Sequence, residues 1–493
     1  MRLLHTSCLV LALMLLAACN ATLLGAPQTQ EEVDRALESQ RREDELAQAT
    51  ALKHLSSMDL GLANIPTAQA YLDKLISRIQ NAGPQPARFV KVVIRPKLGY
   101  NAATTPSGII VVDIGWLKTM DTEAELAALL SHEYGHIVLD HLKTKNQVGT
   151  AVHVVTTAAA VYAQSKGINN DWALGLFGEG WSSLLKTSWS REQEYEADAF
   201  ALDLTQKLGY AYVASMRAFL DRIQSIEKSI KPAPSDAPSG AAQSKNAMGV
   251  MDEHPPIEER IMRLQKIMEG QVRKRPAPQG IDGWRIVRNA PAFKQEEKEV
   301  LLANQMLDAT IAGRKAEQAQ LKKQLEALPR PFKTSATLTM LASVEPQSAR
   351  RTTYLQQAIA APDTSFLSYR LLAILQRDSL KQYETANNTL LEGLDRFDAP
   401  HQFWPDVMSF HRTTAEMIYA IPENQRETSL SLYATKLKLM LVQLQAKCLL
   451  KPDVSEACNW AALNEQQKRE AVAAQKTRET QMSNKLADKL KLK

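Results

Sequence analysis

The chain has 493 residues, of which 45% are hydrophobic and 23% charged, and its formal net charge is +5. This length allows two or three domains, and the composition is that of an ordinary globular protein that buries a sizeable core. The positive charge is too small to indicate a nucleic-acid partner, and no sequence module typical of RNA or DNA binding is present.

Residues 1–18 have the pattern of a bacterial signal peptide. Arg2 precedes the apolar run Leu9–Leu16, which has the length of a signal-peptide core and is too short to span a bilayer. The run ends in Leu-Ala-Ala-Cys, which resembles the lipobox, where the cysteine, here Cys19, is lipidated and becomes the first mature residue. Asn20 follows, and by resemblance to the sorting rule of Gram-negative bacteria it favours the outer membrane, with the anchor facing the periplasm. The alternative is ordinary secretion with Cys19 incidental.

Residues 19–58 are predicted to form a tether that leads into a charged helix beginning near Glu31. Strand signals follow in two β-branched runs, Phe89–Ile94 and Gly108–Ile114, which are separated by turn-forming residues. Two such runs joined by a loop predict a β-hairpin.

The sequence His-Glu-Tyr-Gly-His that begins at His132 is the most informative motif. His132 and His136 are four residues apart, so on a helix they share one face and could hold one Zn²⁺. Glu133 would lie beside the metal, where a carboxylate can take a proton from zinc-bound water. Thr122 and Glu125 form a capping-box pattern, and leucines recur at helical spacing around the motif. The pattern indicates peptide-hydrolase chemistry.

A catalytic zinc normally has three protein ligands, so a further residue must complete the set. Glu194 lies in the acidic stretch 191–198 and could supply the ligand from a second helix. Asp198, one turn further, could accept the N–H of a ligating imidazole. The alternative is a solvated acidic helix face, but Tyr195 and Phe200 among the charges indicate partial burial.

Two other histidines are interpreted as core or surface residues. His153 lies in the apolar stretch 149–164, which is shorter than a bilayer span and predicts a packed helix. His141 lies one turn and a residue beyond His136, which is not the same helix face.

A segment rich in Pro, Ser and Ala at 231–240 predicts a mobile loop, either a lid or a plain connector. His254 then begins a His-Pro-Pro turn, and Pro255 restricts it to an extended or turn backbone from which its imidazole can point towards a cleft. Three roles are open for His254. It could donate a hydrogen bond to the oxyanion, or it could act as a latch that occupies the fourth zinc position at rest and keeps water out. It could also be a structural residue at a helix start. We favour the latch, since a tethered protease benefits from a site that opens only when the segment 231–250 is displaced.

Helical periodicity dominates beyond residue 285 and predicts an all-α domain at 285–493. The segments 364–378 and 380–397 place packing residues roughly where tetratricopeptide repeats do, although no regular period repeats. The helices form either a small solenoid with a concave partner-binding surface or a closed bundle that only adds stability.

Cysteine usage favours an oxidising compartment. Signal-peptide removal deletes Cys8 and lipidation consumes Cys19, so only Cys448 and Cys458 remain and are expected to pair. Two inert buried thiols are the alternative.

The segments 131–136 and 190–201 together resemble zinc peptidases of the HtpX and CAAX-prenyl-protease type, in particular their periplasmic, BepA- and LoiP-like branch. Two further segments agree in order with that family: Asn101-Ala102 with 106–112, and His254-Pro255-Pro256 with Arg260. The resemblance covers about residues 60–270. Ala103 departs from it, since the family often has Phe there.

The resemblance implies an α+β fold, with a mainly helical zinc metallopeptidase (gluzincin) domain at 59–280 that includes a small β-hairpin or sheet. It implies one Zn²⁺ per chain, with ligands His132, His136 and Glu194, with Glu133 as catalytic base, and with Asp198 orienting a ligating histidine. In the family such a hairpin strand lies at the rim of the cleft, where an extended substrate could add its backbone. A purely structural hairpin is the alternative.

The expected activity is that of a membrane-anchored periplasmic zinc endopeptidase acting on unfolded or misassembled envelope proteins. The alternative is a helical-repeat assembly factor or chaperone for outer-membrane proteins with a latched or rarely used protease site. In that case the C-terminal helices would contact the outer-membrane assembly machinery.

Overall fold

The computed structural model describes residues 30–84, 89–141, 189–230, 255–270, 282–329 and 333–464, with 466, 467 and 470. The signal-peptide pattern with Cys19, the stretch containing His153, the segment 231–250 and His254 lie outside the described residues. By internal contacts the chain divides into two units, residues 1–49 and 50–493. The first helix, α1 (Gln30–Ser57), begins in the first unit and agrees with the predicted charged helix.

The N-terminal part of the second unit holds a small sheet among helices. The three strands are β1 (Lys91–Arg95), β2 (Ala102–Thr104) and β3 (Ile109–Asp113). The helices around them are α2 (Pro66–Ala82), α3 (Ile114–Thr119), α4 (Glu123–Val138), α5 (Arg191–Lys207), α6 (Ala218–Ile230) and α7 (Ile257–Glu269), with a π-helical turn at Val213–Arg217.

The sheet order is β1-β3-β2, and its pairing corrects the sequence prediction. β1 pairs with β3 in parallel, with Lys91 opposite Ile109, so the two β-branched runs do not form a hairpin. The hairpin is formed by β2 and β3, which are antiparallel. The two β-branched runs did not indicate β2, whose sequence is Ala-Ala-Thr, although the family resemblance included Asn101-Ala102 at its start. All five residues of β3 are buried, which explains its continuous apolar sequence.

α4 is the central helix of this part of the chain, and its residues from Ala124 to Ile137 are all buried. The Thr122 side chain caps it by accepting a hydrogen bond from the backbone N–H of Glu125. The Glu125 carboxylate accepts a hydrogen bond from the backbone N–H of Asp121, the residue before the cap. The predicted capping box is therefore present, except that its second hydrogen bond comes from Asp121 and not from Thr122. α5 begins with a complete capping box between Ser190 and Gln193.

The C-terminal part of the described chain is helical throughout. Its helices are α8 (Gly283–Asn289), α9 (Pro291–Ile311), α10 (Lys315–Glu326), α11 (Ser335–Val344), α12 (Ser348–Ala360), α13 (Phe366–Asp378), α14 (Tyr383–Arg396), α15 (Trp404–Tyr419), α16 (Thr428–Cys448) and α17 (Pro452–Ala462). The predicted helix pair appears as α13 and α14, which pack against each other. Gly393 lies so close to Tyr369 that a Cβ atom there would be 2.7 Å from the Tyr369 Cβ.

Trp284 of α8 joins the helical part to the domain that contains the motif helix. Its side chain is completely buried, and its indole N–H donates to the backbone oxygen of Met120 at 3.0 Å. Its ring lies against Tyr71 of α2 and Phe293 of α9. The two parts therefore share a continuous core.

A disulfide joins Cys448 at the end of α16 to Cys458 in α17. Both cysteines are buried with Met408 of α15 in a small apolar cluster. Within the described residues, no helix is both long enough and apolar enough to traverse a bilayer. A mainly helical chain with one three-stranded sheet in its described part confirms the predicted α+β class.

Candidate metal centre

Three buried side chains from α4 and α5 converge in the second unit. The Nε2 atoms of His132 and His136 are 3.2 Å apart, and each lies 3.6 Å from a carboxylate oxygen of Glu194. Among the described residues this is the one group of His, Cys, Asp and Glu side chains whose ligand atoms converge as a metal site requires. A tetrahedral Zn²⁺ with bonds of about 2.0–2.1 Å separates its donor atoms by roughly 3.4 Å. The spacing and the donor types therefore fit zinc.

The close approach of α4 and α5 depends on small residues at their contact. A Cβ atom on Gly135 would lie 3.1 Å from Cδ1 of Phe200 and 3.3 Å from Cα of Ala197. Both distances are tighter than ordinary van der Waals contact. The glycine between the two histidines therefore lets α5 approach until Glu194 reaches them.

Asp198 lies beside His132 of the candidate ligand cluster. Its Oδ1 lies 3.0 Å from Nδ1 of His132, which leaves Nε2 directed towards the ligand cluster. Both oxygens of Asp198 also accept hydrogen bonds from Arg260 of α7, at 2.6 and 2.7 Å. Burial would raise the pKa of Asp198, but the charge and hydrogen bonds of Arg260, followed by His132, hold that pKa below its ordinary value.

Arg260 also links α7 to the ligand Glu194. Its Nη1 lies 3.6 Å from Oε2 of Glu194, and its side chain is only 3% exposed. Burial would lower the pKa of Arg260, but the charges of Asp198, Glu194 and Glu133 raise it above its ordinary value. Glu133, itself buried, is thus part of the same electrostatic cluster.

His141 lies against the second histidine ligand, a role that the helical spacing did not indicate. Its Nδ1 is 2.8 Å from Nδ1 of His136, and its Nε2 is 3.0 Å from Oε2 of Glu196. The ring of Trp189 stacks on His136 with ring centroids 4.2 Å apart. These contacts fix the orientation of the His136 ring.

The end of α4 explains how His141 reaches this position. Asp140 has a φ of +54°, which reverses the chain just after the helix. The backbone N–H of His141 then donates to the oxygen of His136 at 3.1 Å. The sequence prediction for His141 assumed that the helix continues, and a residue beyond the helix end does not follow the helical repeat. In the sequence, only Asp140 could have indicated that the helix ends before His141.

The sheet can accept an added strand only at its edges. β3 is paired on both sides, so its backbone is not available to an added strand. Of the two runs of the predicted hairpin, only Phe89–Ile94 therefore supplies an edge strand, β1, and the other edge is β2. β2 packs against α4 and contains Ala103, which is buried. A substrate backbone that extended this sheet beside the motif helix would therefore pair with β2.

The predicted helix entry after His254 is present. Pro256 has a φ of −52° and precedes α7, which begins at Ile257 and carries Glu258 and Glu259 in its first turn. His254 lies outside the described residues, so its role stays a prediction.

Comparisons with known proteins agree with this geometry. Residues 66–268 match the model of peptidase family M48. Metalloprotease LoiP of Escherichia coli (strain K12) is 30% identical over 171 residues, which are 34% of this chain and 65% of LoiP. Metalloprotease YcaL of the same strain is 24% identical over 164 residues, 33% of this chain and 56% of YcaL. A protease HtpX homolog of Desulfatibacillum aliphaticivorans is 29% identical over 213 residues, 37% of this chain and 64% of that protein.

The chain thus spans less than two thirds of each of these relatives. Residues 66–268, which carry the whole ligand cluster, match peptidase family M48, and this part of the chain is similar to metalloproteases of the LoiP type.

Proposed function

We propose that this protein is a zinc-dependent metalloendopeptidase that hydrolyses peptide bonds in misfolded or misassembled envelope proteins. The observation that carries the proposal is the buried cluster of His132, His136 and Glu194, with Glu133 on the same helix as both histidines. The match to peptidase family M48 over 66–268 supports it.

The residues of the cluster divide the chemistry between them. Bound by the three ligands, Zn²⁺ would polarise the scissile carbonyl and lower the pKa of its water. Glu133 would act as the base that takes a proton from the attacking water and as the acid that gives it to the leaving amine. Asp198 holds the His132 ring in the tautomer that directs Nε2 to the ligand cluster, and Arg260 holds Asp198.

The test is Glu133→Gln in the chain that starts at residue 20, which lacks the expected signal peptide and lipidated cysteine. The amide keeps the side-chain shape but cannot act as a base, so zinc content should stay near one per chain while casein cleavage falls to background. His132→Ala should lose the metal itself. Glu192→Gln, a change of the same kind at a side chain that is 73% exposed on α5, is the matched control. Undiminished cleavage by purified Glu133→Gln would sink the peptidase assignment.

We further propose that Cys19 carries a lipid that anchors the protein to the outer membrane, facing the periplasm. The signal-peptide pattern that ends in Leu-Ala-Ala-Cys supports this location, as does the Cys448–Cys458 disulfide, because disulfides persist in oxidising compartments. Cys19→Ser should shift the protein from the outer-membrane to the soluble fraction. If fractionation finds Cys19→Ser processed normally and still in the outer membrane, the lipoprotein assignment fails.

A second function, as an assembly factor or chaperone for outer-membrane proteins, is favoured by the helices after residue 285. Helices α11 to α14 pack each against the next, an arrangement typical of partner-binding helical arrays. These helices would then contact the outer-membrane assembly machinery. Glu133→Gln separates the two functions, because envelope assembly supported by this variant in cells that lack the wild-type protein would assign the role to the helices.

A further inference from the structure

The outer side of α16 exposes large apolar side chains that no other part of the described structure covers. Leu432, Leu439 and Val442 are 68%, 59% and 62% exposed, and Leu449, the cap residue, is 67% exposed. At 3.6 residues per turn these four side chains fall within an arc of about 100°. The opposite side of the helix is buried, through Ala434, Leu437 and Cys448. Both sides of α16 are therefore apolar, and only one is used in the fold.

Lysines border this apolar arc on both sides. Lys436 and Lys447 are exposed along one edge of the arc and Lys438 along the other, as the helical spacing places them. Lys438 extends over the ring of Tyr419 in α15, with its Nζ 4.1 Å from the ring centroid. From Thr428 to Lys451 the sequence contains four lysines and no Asp or Glu. The charged side chains of this stretch are therefore all positive.

We propose that this outer face of α16, defined by Leu432, Leu439, Val442 and Leu449 with Lys436, Lys438 and Lys447, binds the surface of a bilayer that contains anionic phospholipid. A helix lying in a membrane interface buries its leucines at the level of the acyl boundary while flanking lysines extend to the phosphates. Each lysine near an anionic surface also adds electrostatic attraction. The arrangement of α16 meets both requirements.

Charge and shape favour the membrane over the other occupants. In a symmetric contact between two copies of this face, lysines would lie opposite lysines without carboxylates from this stretch to offset them. A bound client segment in a helix-in-groove mode needs a concave apolar surface, and the outer side of one helix is convex. A fluid bilayer adapts to a convex face. The proposal does not depend on the zinc site or on the lipid at Cys19.

The experiment measures binding of the chain from residue 20, which carries no lipid, to vesicles. Vesicles of phosphatidylcholine alone are compared with vesicles that also contain phosphatidylglycerol, by flotation at low and high salt. We expect binding only to the mixed vesicles and a loss of that binding as salt screens the charges. Equal binding to both kinds of vesicle, or to neither, would overturn the proposal.

Substitutions then locate the contact. Lys436→Gln with Lys447→Gln should lower the partition coefficient by about 25-fold, at about fivefold for each lysine. Leu439→Gln with Val442→Gln should lower it by more than tenfold, because burial of the two apolar side chains is lost. The matched controls are Ile286→Gln, at a side chain that is 60% exposed on α8, and Lys315→Gln with Lys323→Gln on α10, and they should bind as the wild type does.

Folding and zinc content report on the variants independently. All these side chains are exposed, so thermal unfolding, zinc content and casein cleavage should stay at wild-type values. If Leu439→Gln with Val442→Gln binds vesicles as the wild type does, the proposal is wrong. If that pair converts a dimer into a monomer, the face is a contact between copies and the proposal is also wrong.

Discussion

Replacing Arg260 by Met removes the guanidinium that lies inside a buried cluster of carboxylates. Glu133, Glu194 and Asp198 carry three negative charges there, Arg260 carries one positive charge, and a bound Zn²⁺ would make the total neutral. Arg260→Met therefore removes the guanidinium that offsets part of the negative charge of the zinc-free protein, and it leaves the zinc-loaded protein with a deficit of one positive charge. The variant should be destabilised in both forms, and more strongly without zinc.

The size of the effect follows from the burial of the pair. Arg260 and Asp198 are 3% and 2% exposed and are joined by two hydrogen bonds of 2.6 and 2.7 Å. Removing one partner of such a pair destabilises a protein by about 3–5 kcal/mol, because the other charge stays buried. Arg260→Lys keeps the positive charge but loses the bidentate hydrogen bonds to Asp198, so it should destabilise the protein less than Arg260→Met does. Arg263→Met on the same helix, at a side chain that is 46% exposed, should cost no more than about 1 kcal/mol.

The assay is thermal unfolding of zinc-free and zinc-loaded protein, followed by far-ultraviolet circular dichroism. The increase in melting temperature on adding zinc should be larger for Arg260→Met than for the wild type, since zinc replaces part of the missing positive charge. The double change Arg260→Met with Asp198→Asn should recover part of the zinc-free loss. A zinc-dependent increase that is smaller than in the wild type, or a zinc-free loss no greater than that of Arg263→Met, would refute the electrostatic reasoning.

The remaining predictions concern zinc affinity and proteolysis. Glu194→Ala should lose the metal, whereas Asp198→Asn should weaken zinc binding or activity by about 10–100-fold. Equal zinc content in Glu194→Ala and the wild type would mean that the third ligand is misassigned. His141→Ala should also weaken zinc binding, by about 10–100-fold, because the ring of His136 loses its support, and an unchanged zinc dissociation constant would contradict this. His254→Ala should raise basal proteolysis if the residue is a latch, and a fall in turnover at unchanged zinc content would instead identify an oxyanion donor.

The candidate site could be predicted from the sequence where its geometry is local. His132 and His136 share a helix face whatever surrounds that helix, and Asp198 follows Glu194 by one turn for the same reason. The pairing of Arg260 with Asp198 could not be predicted in this way, because its partners are 62 residues apart in the chain. The position of His141 also depends on structure, since the reversed backbone at Asp140 lies beyond the helical repeat.

The sequence by itself determined which residues could bind a metal, which helices carry them, and that the two β-branched runs form β1 and β3. Helix and strand periodicities depend only on neighbouring residues. Tertiary structure decided the parallel pairing of β1 with β3 and the presence of β2, since strand order depends on which segments meet across the core. It also decided the contact of α4 with α5. The missing side chain at Gly135 permits a close approach of the two helices only because Phe200 and Ala197 lie opposite it. Whether two distant segments meet is set by packing of the whole domain, and no local pattern contains that information.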